Sequence, residues 1–107
     1  MRKEIKKFYK KYPQIYIYGC GGVGNSLAEY LEVNNIQYQG FLVSDADKEK
    51  KAFRNHPVVG YKESIFDDSR VGVIIAVNKQ NYKAIIAKFN DLLRKRVLSE
   101  FDVVGGA

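Results

Sequence analysis

The sequence predicts an α/β fold, a three-layer sandwich on a mostly parallel sheet of about four to five strands. Three observations carry this expectation. Strand-like apolar runs alternate with segments of helical period along the chain. The run VGVIIAV, Val71–Val77, has no side chain that prefers water, as a strand buried on both faces requires. In IYIYGCGGVG, positions 15–24, an apolar run leads directly into four glycines, and the period of the pattern then changes from strand to helix.

The elements follow in order. Ile5, Phe8, Tyr9 and Tyr12 recur at i, i+3, i+4 and i+7, which predicts an amphipathic helix closed by Pro13. Ile15–Tyr18 reads as a first strand. Val23, Leu27 and Leu31 mark one face of a helix that Asn34-Asn35 stops. Tyr38–Val43 reads as a second strand. DADKEKKAFRN is expected to be a charged loop or short helix. HPVVGY is a short strand at most, with Pro57 confined to an edge or a strand start. DDSR reads as a turn before the central strand at Val71. Residues 80–96 are expected to form one helix with Ile85, Ile86, Phe89, Leu92 and Leu93 on a single side, and FDVVGGA to begin one more strand. The expected organisation is an N-terminal helix over 1–12 and one domain over 13–107, with Gly105-Gly106-Ala107 reading as an arbitrary stop, as in a piece of a longer protein.

Composition narrows the function. A chain of 107 residues, 46% hydrophobic, can bury a core without disulfide or metal. No apolar stretch is long enough to span a bilayer, and no secretory signal is evident. The single cysteine, Cys20, excludes an internal disulfide and fits the reducing cytoplasm. Much of the net charge of +6 lies in MRKEIKKFYKK. Lysines opposite an apolar stripe read as a solvated helix face. That reading is preferred to a membrane surface, and no nucleic-acid partner is expected.

Gly19, Gly21 and Gly24 match G-x-G-x-x-G between a predicted strand and a predicted helix. In that context Gly19 permits the turn off the strand, Gly21 lets a phosphate approach the backbone, and Gly24 lets the helix pack closely. The helix front leaves N–H groups unpaired and carries partial positive charge, worth about 0.3–1 kcal/mol toward an anion from the dipole alone. Gly22 and Val23 belong to the same loop, and Asn25 and Ser26 offer side-chain donors. Asp45 follows the second strand, where an acid can hold a ribose hydroxyl pair; a carboxylate there disfavours a 2′-phosphate. The competing role for Asp45 is a turn cap. Asn78 ends the central strand; it can contact a base or sugar, or cap the last helix, and the cap is preferred.

Catalytic equipment is sparse. The chain lacks the Gly-Lys-Ser/Thr of a P-loop, and Tyr18 stands where methyl-donor sites carry an acid. One histidine and one cysteine cannot make a usual metal site. His56 reads as loop decoration and Cys20 as a small packed residue. No Tyr-x-x-x-Lys relay occurs. The chain has about enough residues for one mononucleotide-binding half, so no catalytic residue is assigned.

The segments IYIYGCGGVG, GFLVSD, HPVVGYKES and VGVIIAVNKQNYKAIIAKF resemble the small Rossmann-like N-terminal domain of acetyltransferases that act on UDP-amino sugars. They are also similar to domains fused to glycosyltransferases and small methyltransferases of bacterial surface-polysaccharide biosynthesis. The resemblance covers roughly residues 15–90. It implies a UDP-sugar or other nucleotide held by Gly19, Gly21, Gly22, Gly24 and Asp45, beside a fused or separate catalytic domain. A histidine common in those loops is Val23 here, and the β-helix that bears their acetyl-CoA site is absent, so acyl transfer is not implied. Redox-sensing and channel-regulating domains open similarly, which leaves NAD as an alternative ligand, bound by a sensor or by part of a sugar dehydrogenase or epimerase. A third alternative is a structural module whose glycines only make a tight turn.

Overall fold

The computed structural model describes residues 3–44 and 51–104. The elements are α1 (Lys3–Lys11), β1 (Gln14–Tyr18), α2 (Gly22–Val33), β2 (Gly40–Val43), β3 (Ala52–Phe53), β4 (His56–Gly60), a 3-10 turn (Glu63–Asp67), β5 (Val71–Ile75), α3 (Lys79–Ile86), α4 (Asp91–Arg94), β6 (Val97–Ser99) and α5 (Glu100–Val103). They form an α/β sandwich on one six-stranded sheet, ordered β3-β4-β2-β1-β5-β6. Every pair is parallel except β3 with β4.

Strand alternation sorts the core into two layers. Ile15 and Ile17 of β1, Phe41 of β2 and Ile74 of β5 face Ile5, Phe8, Leu27, Leu31 and Val103, which come from α1, α2 and α5. Tyr18, Leu42, Val71, Val73 and Ile75 face the other way, onto Phe66 and Phe89 and the inner sides of α3 and α4. All five residues of β5 are buried, as a central strand requires. The α1 stripe is buried through Ile5, Phe8 and Tyr12, and the lysines on its other face are exposed. Close packing there depends on Gly72: a Cβ at that position would meet the Phe8 ring at 2.6 Å. No helix among the described residues is long and apolar enough to cross a membrane.

Four expectations need correction. The helix over 80–96 is two helices, because Asn90 caps a new start, its Oδ1 accepting from the Leu93 N–H at 2.9 Å, while Phe89 turns fully into the core. Leu92 consequently points outward and is 76% exposed. The final strand is instead helix α5. Ser99 and Asp102 form a reciprocal capping box, which starts a helix where the valines suggested extended chain. The second strand begins at Gly40 rather than Tyr38, and there the chain runs so close to the neighbouring strand that a Cβ at Gly40 would collide with the backbone of Pro57.

Two short strands, β3 and β6, join the sheet beyond the expected set. β3 turns into β4 through Arg54 and Asn55, both at positive φ, 49° and 62°. This is the twist a two-residue hairpin needs, made without glycine. Pro57 sits second in β4, near the strand start. Most of the charged stretch after Asp45 lies outside the described residues.

Candidate functional site

The sheet order reverses between β1 and β5, since β2 lies on one side of β1 and β5 on the other. Ligands of open parallel sheets bind outside the strand C-termini at such a point. A cleft of ≈ 490 Å³ opens there. Its walls are the β1–α2 loop, the ends of β2 and β5, and the inner side of α3 with Lys88 beyond it.

The loop is shaped by backbone contact. Gly19 has φ +121° and donates its N–H to the Leu42 carbonyl at 2.9 Å. A Cβ on Gly19 would lie closer than 3.0 Å to the Ala76 carbonyl oxygen, and one on Gly24 closer than 3.0 Å to that of Gly19. Glycine is therefore a packing requirement at both positions. Gly21 and Gly22 differ: a Cβ on either meets nothing within 4 Å. Both are exposed, and both line the cleft. Gly21 is the N-cap of α2 and has no side chain with which to cap it. The front of a twelve-residue helix thus faces the cleft with bare backbone, where an anion is favoured.

The sequence-predicted residues divide as follows. Gly19, Gly21, Gly22, Val23 and Asn78 line the cleft together. Gly24 is buried behind them as the packing position. Asn25 does not line the cleft; its Oδ1 accepts from Arg54 Nη1 at 2.8 Å. Asn78 lines the cleft and caps α3, its Oδ1 accepting from the Asn81 N–H at 3.0 Å. Asp45 lies outside the described residues, but Ser44 before it is on the cleft wall.

Sequence reasoning missed Lys88 and the role of Tyr18. The Lys88 ammonium donates to the Tyr18 hydroxyl at 3.0 Å and lies 5.6 Å from the centre of its ring. This puts a cation on the wall of the same cleft as the glycine loop. The two residues are 70 apart in sequence, so no local spacing announces the pair. Tyr18 is held from behind by Phe89 and Tyr61, at ring separations of 6.4 and 5.7 Å.

Another titratable cluster ties α2 to the β3–β4 hairpin. Arg54 grips Glu32 of α2 through two hydrogen bonds, at 3.0 and 2.7 Å, and Tyr38 donates to the same carboxylate. His56 stacks on Tyr38 with ring centres 3.9 Å apart, and its Nδ1 lies 2.7 Å from the Arg54 carbonyl oxygen. The histidine therefore belongs to β4 and the hairpin seam. The Arg54 guanidinium, helped by the Tyr38 hydroxyl, holds the Glu32 carboxyl down at about 2. A depressed folded value means that stability is present above the ordinary value of 4.5 and is lost as pH falls through about 2. Water screens this half-exposed pair, so the effect is small. Urea midpoints measured from about pH 5 to about pH 2 should fall less steeply in Glu32→Gln than in the wild type.

No group of three or more potential metal-ligating side chains occurs among the described residues. The cleft can accept an anion on backbone amides, balance it with Lys88, and enclose an attached group between the loop and α3. No family model, curated protein or solved structure matches this chain.

Proposed function

We propose that this chain binds a nucleotide or nucleotide sugar, with its phosphates at the front of α2, as a module of a bacterial surface-polysaccharide enzyme of the glycosyltransferase type. The observation that carries the binding reading is the open helix front. Gly21 and Gly22 face a cleft of ≈ 490 Å³ with no side chain in the way. A cleft of that size is of the order that small-molecule sites occupy. Lys88 supports the reading, because a cation in the same cleft as bare amides suits a ligand with more than one phosphate charge. The link to polysaccharide synthesis rests on the short-motif resemblance of residues 15–90, and it implies a catalytic domain elsewhere.

NAD is the competing ligand, because strand order reversal also suits a dinucleotide. Calorimetric titration with UDP, UDP-glucose and NADH tests the proposal. Saturable binding of UDP or UDP-glucose is expected, weakened about fivefold or more by Lys88→Met through loss of a charge-assisted contact. Absence of saturable binding by all three would refute it, and binding of NADH alone would transfer the site to the dinucleotide.

A further inference from the structure

We infer that the ligand carries a hydroxylated ring beyond its phosphates, and that a second cleft, on the far side of Val23, Val77 and Asn78, receives it. This rests on the nucleotide reading above. The second cleft has a volume of ≈ 560 Å³ and lies at the ends of β5 and β6, between α3 and α5. Val23, Val77 and Asn78 line both clefts, so the two are neighbouring compartments with a common wall. That wall stands directly beside the front of α2. A group joined to the outer phosphate of a ligand seated there has the second compartment as its continuation.

The chemistry of the second compartment selects the group. Tyr82 and Phe101 supply aromatic surface, and Phe101 is 53% exposed although it is a large apolar side chain. The Lys79 ammonium lies 5.4 Å from the centre of the Phe101 ring. Ser99 and Asp102 are committed to each other at 3.0 Å as the cap of α5. Glu100 is not so committed. Its carboxyl is half-buried on the cleft wall, and burial pushes its pKa up with no offsetting hydrogen bond or ion pair. A desolvated acceptor of this kind is stabilised by a ligand that brings donors. A pyranosyl ring does so. Its C–H faces suit Tyr82 and Phe101, and its hydroxyls donate to Glu100.

The test compares UDP, UDP-glucose and NADH on the wild type, on Phe101→Ala and on Glu100→Ala. UDP-glucose should bind the wild type about tenfold tighter than UDP, and each substitution should cut that margin while leaving UDP affinity unchanged. Phe101 is exposed enough for its truncation to leave the fold intact. Measurable UDP binding with no margin for UDP-glucose would remove the second compartment and leave the nucleotide reading standing. A margin for NADH that depends on Phe101, with none for UDP-glucose, would overturn the pyranosyl ring and give the second compartment to the nicotinamide ribosyl half of a dinucleotide. Failure of all three ligands to bind would remove both readings.

Discussion

Gly19→Ala is expected to destabilise the protein by about 3 kcal/mol or more, a large share of the stability of a domain this size. Two costs add. The residue sits at φ +121°, a conformation that L side chains rarely adopt. Its new Cβ would also press on the Ala76 carbonyl, which is backbone at the end of the central strand and cannot swing aside. Ala76 is fixed by its own N–H, which donates to the Tyr18 carbonyl at 2.8 Å. Relief would require the β1–α2 loop to part from β5, opening the floor of the cleft. Urea unfolding measures the effect, and a loss below about 1 kcal/mol would show that the loop relaxes without penalty. This glycine is thus a condition of the fold, in contrast to Gly21.

Much of this was legible before any coordinates. β1 and β5 announce themselves because strands inside a sheet have no use for charged side chains, and IYIY and VGVII carry none. The glycine loop was legible because three positions at fixed spacing each answer a different steric demand. The structure separates them further, into packing glycines (19 and 24) and an open one (21), which Gly22 beside it matches. What escaped was set by partners distant in sequence. A two-residue strand such as Ala52–Phe53 exists only because β4 lies beside it. The break at Asn90 was hidden by apolar periodicity that runs straight through it, with Ile85, Ile86, Phe89 and Leu93 all reaching the same core layer. The α5 start did have a local signal, the Ser-x-x-Asp capping pair, which the adjacent valines outweighed. In the site, Asn25 is drawn away by Arg54 from a hairpin 29 residues on, and Lys88 is brought in by Tyr18.

Gly21→Asp should separate fold from function most sharply. The position has φ −97° and ψ −151°, which aspartate adopts without strain, and nothing crowds its Cβ. As an N-cap, aspartate can accept from the first-turn N–H groups and complement the helix dipole, so stability should hold or rise by a few tenths of a kcal/mol. The same carboxylate then occupies the amides offered to phosphate and repels it. At a separation of about 4 Å, one pair of like charges costs about 1 to 4 kcal/mol as the effective dielectric falls from that of water to that near a protein surface. Affinity should therefore fall at least about fivefold. Gly21→Asn caps without charge, and its loss should lie between those of the wild type and the aspartate variant.

The decisive measurement is calorimetric titration of UDP into the wild type and Gly21→Asp, with urea midpoints recorded on the same preparations. Bare amides at the front of α2 that serve an anionic ligand require saturable binding in the first protein, at least about a fivefold loss in the second, and a midpoint no lower in the second than in the first. Equal affinity in two equally stable proteins would mean that the phosphates lie elsewhere, and the glycine loop would then be a turn and nothing more.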